Sequence, residues 1–254
     1  MKIQNIIFIL FIACIIAVFY KKYCIVLLKD ESTLIVGTSA DYPPYEFMDT
    51  KTGDIVGFDI DVIREIALRL NKNILIKNLS FTTLIFALMA GEIDVIAAGM
   101  SPSKRRSKFV LFTDSYLDND YYVVVSKKDR FNPGSLDDLV GKDVVVNTGH
   151  AAEAFMAKQK GVQLIRLKDV SLGLVALTTG SVDAFVSVKS VIDSALKKKN
   201  NYQQFVVLPL WATGDDCSFA VQRHNKELAY NIDKVLFEMK HDGTLDRLKN
   251  KWNL

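Results

Sequence analysis

The sequence predicts an α/β protein made of two lobes, each a mostly parallel β-sheet covered by helices. Short apolar runs typical of buried strands alternate with helical patterns along most of the chain. The pattern of residues 88–96 (helix end, glycine, apolar residue, aspartate, buried strand) recurs in the same order at residues 177–185. Such a repeat favours two lobes of similar build over one continuous sheet. A chain of 254 residues is long enough for both cores.

In the first half of the chain, strands are predicted at residues 34–36, 74–76 and 93–96. Asp59 is predicted to cap a helix that runs to Leu70, because apolar residues recur there at helical spacing. A second helix is predicted to open at Phe81 and to end at Gly91, whose lack of a Cβ suits the left-handed position after a helix.

The loop of residues 97–106 is the stretch that most strongly indicates a binding site. Ser101 and Pro102 are predicted to begin a helix there. The cations Lys104, Arg105 and Arg106 would then lie at the helix end that disfavours positive charge, which indicates a negatively charged partner. A solvated basic turn is the alternative explanation of the same residues.

The second half of the chain repeats the alternation of strands and helices. Strands are predicted at residues 121–125, 144–146, 182–186, 205–208 and 219–221. Helices are predicted after Ser135, after Gly149-His150, and at residues 171–178, 225–240 and 244–252. No low-complexity linker separates the halves, so we expect ordinary strands to join the lobes.

The N-terminus has the features of an export signal. Lys2 is followed by an apolar stretch from Ile6 to Tyr20, and then by Lys21 and Lys22. No small-x-small cleavage site stands before Lys21, so the segment is either a cleaved signal peptide or an uncleaved membrane anchor. We therefore expect an exported protein.

The net charge, the cysteine positions and the absence of enzyme motifs narrow the possible classes of function. The formal net charge of +3 is small and argues against nucleic acid as a partner. Cys14, Cys24 and Cys217 are far apart, so no disulfide framework is predicted. The histidines lack metal-ligand spacing, and no phosphate-binding loop, dinucleotide fingerprint or nucleophile elbow occurs. The sequence therefore predicts a binding protein without a cofactor or metal, rather than an enzyme.

Several motifs resemble, in order and spacing, the polar amino-acid-binding family, which comprises solute-binding receptors of ABC importers. They are Tyr42-Pro43-Pro44-Tyr45-Glu46-Phe47, Gly57-Phe58-Asp59-Ile60-Asp61, Ile93-Asp94, Ala98-Gly99-Met100-Ser101, Arg106, Asp242-Gly243-Thr244 and Lys251-Trp252. The resemblance covers the chain from Leu34 to Trp252.

This resemblance implies the two-lobed, type II fold of periplasmic binding proteins. Residues 1–30 would be the signal peptide or anchor, 31–119 the first part of lobe 1, 120–214 lobe 2, and 215–254 the return segment of lobe 1. It also implies a periplasmic receptor that closes its lobes on a polar amino acid, with a cationic side chain as one option. The receptor would deliver that ligand to the permease and ATPase of an ABC importer.

The same resemblance assigns roles to residues of the first lobe. Arg106 matches the arginine that grips the ligand α-carboxylate, and Ser101 matches the hydroxyl beside it. Gly99, which follows Ala98, matches the residue whose carbonyl receives the α-ammonium group.

The resemblance implies further contacts with the ligand side chain and carboxylate. Tyr42 and Phe81 match the aromatic pair that flanks the ligand side chain. In the second lobe, Gly149, His150 and Ala151 match the turn whose backbone N–H groups complete the carboxylate site. Relatives often have serine or threonine where this chain has His150.

Two departures from the family concern the ligand amine. Ser39 stands where relatives commonly have an aspartate, and Val188 stands where they usually carry the acid that holds the α-ammonium group. Asp41 is the first candidate to substitute for them. We therefore expect an intact carboxylate end and either weaker recognition of the amine or a ligand without one.

Two further functions stay open from the sequence. Dehydratases of prephenate-like acids resemble the same family, and His150 is the one candidate catalytic residue for such an enzyme. A membrane-tethered sensor that has kept the fold and lost transport would also fit Val188 and the missing cleavage site.

Overall fold

The structure, a computed structural model, describes residues 32–120, 122–199, 202–210 and 215–254. The predicted export segment, with Cys14 and Cys24, lies outside the described residues. Residues 34–254 form one compact unit. Within the described ranges, no helix combines the length and apolar character needed to cross a membrane.

Strands and helices alternate along the unit. The strands are β1 (Thr33–Thr38), β2 (Asp41–Tyr42), β3 (Glu46–Met48), β4 (Ile55–Val56), β5 (Asn73–Asn78), β6 (Val95–Ile96), β7 (Val110–Asp120), β8 (Tyr122–Lys127), β9 (Asp143–Asn147), β10 (Gln163–Leu167), β11 (Ala184–Val188), β12 (Phe205–Pro209) and β13 (Asp215–Gln222). The α-helices are α1 (Phe58–Arg69), α2 (Leu84–Ala90), α3 (Ala151–Met156), α4 (Val170–Thr179), α5 (Lys189–Lys199), α6 (Lys226–His241) and α7 (Thr244–Trp252).

Two five-stranded sheets organise the fold, in the orders β5-β1-β6-β13-β7 and β10-β9-β11-β8-β12. Each sheet combines parallel and antiparallel pairs. In the first sheet β1 and β6 are parallel, and β13 is antiparallel to both β6 and β7. In the second sheet β9 is parallel to β10 and β11, and β8 is antiparallel to β11 and β12. We call the parts of the chain around these sheets the first and second lobe. Their boundaries at residue level stay a prediction.

The repeated turn found in the sequence has the same geometry in both lobes. Gly91 and Gly180 end α2 and α4 in the left-handed conformation, with φ of 77° and 76°. Asp94 and Asp183 then each accept a backbone N–H of their own sheet at 3.0 Å. The same side chain therefore fastens the same turn to each sheet.

Three predicted helix starts are wrong. Ser101 and Pro102 begin no helix, and the chain instead forms a short 3-10 turn at Arg106–Lys108, so the argument from a helix dipole does not apply there. Helix α1 begins after Gly57, so Asp59 lies buried inside its first turn. The Asp59 carboxylate does not cap the helix, because it accepts the Gly99 N–H of another loop. The signal at Ser135 produces only a 3-10 turn at Asp137–Leu139.

Candidate functional site

The two lobes touch through tyrosine hydroxyls from the loop that contains β2. The Tyr42 hydroxyl lies 3.3 Å from the Ser187 Oγ atom, at the end of β11. The Tyr45 hydroxyl lies 2.9 Å from the Ser190 Oγ atom, in the first turn of α5. Both bonds cross the cleft, whereas the family resemblance assigns a ligand contact to Tyr42 and none to Tyr45.

Arg106 bridges the cleft with its guanidinium group. Its Nη1 atom donates to the Ser101 carbonyl at 2.6 Å, and its Nη2 atom donates to the Gly149 carbonyl of the second lobe at 2.8 Å. The guanidinium carbon lies 5.4 Å from the centre of the Phe81 ring, which is within the range of a cation–π contact. The 3-10 turn therefore positions a fixed positive charge between the lobes.

The imidazole of His150 stacks between two aromatic rings of the first lobe. Its centroid lies 4.1 Å from that of Tyr42 and 3.9 Å from that of Phe81, with interplanar angles of 25° and 19°. Tyr42 and Phe81 could not both stack on one face of the imidazole at these distances without overlapping each other. They therefore lie on its opposite faces. The slot that the resemblance assigns to a ligand side chain thus contains a side chain of the protein itself.

A small inner pocket lies beside this stack. Its volume is about 20 Å³, and its lining residues are Tyr42, Tyr45, Gly99, Ser101, His150, Ala151, Ala152, Val188 and Cys217. Six of the residues expected to bind the ligand are therefore brought together. Ser39 and Ala98 are also buried, but neither belongs to this lining.

A wider outer cleft continues from the inner pocket. Its volume is about 590 Å³, and it is lined by Ser101, Pro102, Ser103, Arg105, Arg106, Tyr122, Gly149, His150, Ala151, Glu153, Ala154, Phe155, Ala157 and Lys158. Ser101, His150 and Ala151 line both spaces. His150 therefore stands at the boundary between the inner pocket and the outer cleft.

The turn before α3 uses two of its backbone N–H groups internally. The Gly149 N–H donates to the Glu153 Oε2 atom at 2.7 Å, and the His150 N–H donates to the Asn147 carbonyl at 3.2 Å. Glu153 is itself paired with Arg166 at 2.5 Å. In this conformation the turn takes up both of these N–H groups itself, and the expected role of Gly149, His150 and Ala151 toward a ligand carboxylate stays a prediction.

Among the described residues, none of those that line the inner pocket is an acid. Val188 lines that pocket and is 7% exposed, and its assignment to the amine end stays a prediction. Asp41 belongs to neither lining and lies near Asp169 and Lys168 of the second lobe. Burial, and then the charge of Asp169, raise the pKa of Asp41 to about 6.

Two acids are buried next to residues that line the inner pocket, Asp59 beside Gly99 and Glu46 beside Tyr45, and sequence reasoning did not place either of them there. The Asp59 Oδ2 atom accepts the Gly99 N–H at 2.6 Å and the Tyr116 hydroxyl at 2.7 Å, so it fixes Gly99 at a positive φ of 49°. Burial raises the pKa of Asp59 to about 6. Glu46 is fully buried, and neither of its carboxylate oxygens has a hydrogen-bond partner among the described residues. Both acids belong to the motifs quoted above, and that was the available signal.

Replacing Glu46 with glutamine is expected to make stability less dependent on pH. Burial, and then the carboxylates of Asp59 and Asp41, raise the pKa of Glu46 well above its usual range. Because the folded protein holds this proton more tightly than the unfolded chain, the Glu46 contribution to stability is present at low pH and lost as pH rises through the raised pKa.

Urea unfolding at pH 5 and pH 9 would measure this effect. Glu46→Gln should resemble the wild type at pH 5 and have the higher free energy of unfolding at pH 9, since an amide never ionises. Parallel pH profiles for the two proteins would contradict a buried, protonated Glu46.

Comparison with known proteins identifies the family. Residues 34–254 match the family model described as bacterial extracellular solute-binding proteins, family 3. The chain belongs to this family. A curated relative, the arginine-binding extracellular protein ArtP of Bacillus subtilis (strain 168), is 33% identical and aligned over 86% of this chain and 85% of its own length. The probable arginine-binding protein ArtJ of Chlamydia trachomatis serovar D is 31% identical, with 89% and 88% covered.

A solved structure agrees with the family assignment. An ancestral arginine-binding protein bound to arginine superimposes with a TM-score of 0.81, is 37% identical, and is aligned over 87% of this chain and 98% of its own. The two-lobed, type II fold expected from the sequence is confirmed. The expectation of an extracytoplasmic amino-acid receptor of an ABC importer, and of a solute-binding protein rather than an enzyme, is confirmed as well. The dehydratase and sensor alternatives find no support among these relatives.

Proposed function

We propose that this solute-binding protein captures L-arginine or a closely related cationic amino acid in the cleft between its lobes. It would then deliver the ligand to the permease and ATPase of an ABC importer. The observation that carries the proposal is Arg106, whose guanidinium group lies between the lobes and is bonded to both of them. The arginine-binding names of the three relatives described above support the choice of ligand.

The carboxylate of the ligand would bind Arg106. A guanidinium group presents two parallel N–H bonds to a carboxylate, and such charge-assisted bonds each contribute about 1.5–3 kcal/mol. In this conformation the Gly149 carbonyl takes up one side of the Arg106 fork. A bound carboxylate would replace that carbonyl and so exchange a neutral acceptor for a charged one.

The ligand side chain would occupy the slot between Tyr42 and Phe81. A cation between two aromatic faces gains about 0.5–2 kcal/mol, which favours a guanidinium or ammonium group over an uncharged amide. The amine end would contribute less, because Val188 stands at the expected acid position and no described residue that lines the inner pocket is an acid. Among the described residues that line the two cavities, Glu153 is the one carboxylate, and it is already paired with Arg166.

The receptor would act outside the cytoplasm, where its apolar N-terminal segment directs it. That segment would either be removed after export or keep the receptor at the membrane surface. Ligand-driven closure of the lobes would produce the form that the permease recognises, since a ligand that contacts both lobes favours the closed state.

Two arginine analogues would test how each end of the ligand is recognised. Native mass spectrometry of the purified protein would first identify any bound amino acid, and calorimetry would then measure L-arginine, agmatine and Nα-acetyl-L-arginine. Agmatine lacks the carboxylate and should not bind measurably, because Arg106 loses its partner. Nα-acetyl-L-arginine lacks the charged amine and should lose only a few-fold in affinity. Agmatine binding as tightly as L-arginine would contradict the proposal.

A further inference from the structure

His150 occupies the slot that would receive the ligand side chain. The residue is 5% exposed, and its imidazole has an aromatic ring of the first lobe about 4 Å from its centre on each face. The adjoining inner pocket of about 20 Å³ has room for about one water molecule and for no amino acid. Entry of a ligand side chain therefore requires the imidazole to leave.

We propose that His150 is an internal competitor for the amino-acid pocket and thereby a determinant of its affinity and specificity. Stacked between Tyr42 and Phe81, the imidazole excludes any ligand whose side chain cannot displace it. This inference rests on the proposed function, because the competition matters only if the slot receives the ligand.

The outer cleft has room for the displaced imidazole ring. His150 lines the outer cleft of about 590 Å³ as well as the inner pocket, so rotation of its side chain would move the ring from one to the other. The backbone before it is tightly held: Gly149 has φ of +83°, and a Cβ atom built there would lie 3.1 Å from Thr82 and 3.2 Å from Phe81. Exchange therefore involves the side chain, or a separation of the lobes, rather than a shift of this turn.

The ring is held in its neutral form. Burial, and then the positive charge of Arg106, lower the pKa of His150 to about 3. The other titratable groups around the two cavities are Tyr42, Tyr45, Cys217, Tyr122, Glu153, Arg105 and Lys158. Glu153, the acid of this set, is bonded to Arg166 and to the Gly149 N–H. A neutral imidazole stacks as an aromatic ring, which is the chemistry that the slot offers a ligand.

Affinity measurements on three variants would test this competition. His150→Ala removes the competitor and should bind L-arginine about tenfold or more tightly than the wild type, because the binding-competent fraction rises. His150→Phe retains a stacked ring and should bind no better than the wild type. His224→Ala changes an exposed histidine and should leave affinity unaltered. Thermal unfolding of each variant would verify that it is folded.

Proton NMR would observe the ring directly, because the chain has only three histidines. In the free protein the His150 Hε1 signal should be shifted by the two stacked rings, remain unchanged between pH 8 and pH 5, and move when L-arginine saturates the protein. The Hε1 signal of His150 would be assigned by its absence from the spectrum of His150→Ala.

The outcomes separate this inference from the proposed function. L-arginine affinity in His150→Ala equal to or weaker than that of the wild type would overturn the competition while leaving an arginine receptor. A His150 signal that does not move when L-arginine binds would do the same. Absence of L-arginine binding in every variant would overturn the proposed function, and with it the role of His150.

Discussion

Replacing Arg106 with alanine is expected to weaken L-arginine binding by about 100-fold or more, which corresponds to about 3 kcal/mol. The guanidinium group lies between the lobes and would be the partner of the ligand carboxylate. Truncating one member of a desolvated charge pair leaves the other uncompensated and costs about 2–5 kcal/mol. Calorimetry at constant pH would measure the change.

Two further variants make the Arg106 result specific. Arg106→Lys should recover little affinity, since an ammonium group cannot donate two parallel bonds to a carboxylate. Arg105→Ala removes an exposed neighbouring cation and should lower affinity only slightly, by weakening long-range attraction. Equal losses in Arg105→Ala and Arg106→Ala would indicate that net charge, rather than a directed bond, attracts the ligand.

Replacing Gly57 with alanine is expected to lower the free energy of unfolding by about 3 kcal/mol or more. Gly57 has φ of 139° and ψ of 175°, a combination that is essentially restricted to glycine. A Cβ atom built there would lie 2.1 Å from the Tyr45 carbonyl oxygen, a backbone atom that cannot move aside independently. The same loop receives the first N–H groups of α1, from Phe58 and Asp59, each at 2.9 Å.

Gly53→Ala is the matched control for this substitution. Gly53 also has a positive φ, 77°, but its added Cβ would have no atom within 4 Å. The free energy of unfolding of Gly53→Ala should therefore fall by only about 1–2 kcal/mol, which is the cost of the left-handed conformation for alanine. Urea unfolding of both variants would measure the difference, and similar losses at the two sites would mean that the Tyr45 carbonyl can relax. Because this loop also carries Tyr42, Gly57→Ala should reduce ligand affinity in any fraction that remains folded.

Local patterns were sufficient for much of the fold. The alternation of strands and helices, and the glycine–aspartate turn repeated at residues 88–96 and 177–185, predicted two lobes of similar build. These signals depend on hydrophobic periodicity and on glycine in the left-handed conformation, both of which are properties of a few consecutive residues. Helix α5 and the long strand β7 were not predicted, and the helix expected at Ser101 is wrong.

The sequence by itself determined the family and a set of residues that the fold brings together, although their individual roles stay predictions. Only the tertiary structure decided that His150 lies between Tyr42 and Phe81 and that Asp59 holds Gly99. It also decided that Glu153 takes up the Gly149 N–H. The physical reason is packing: most of these contacts join residues far apart in the chain, and which ring fills a slot depends on shape and burial rather than on any local pattern.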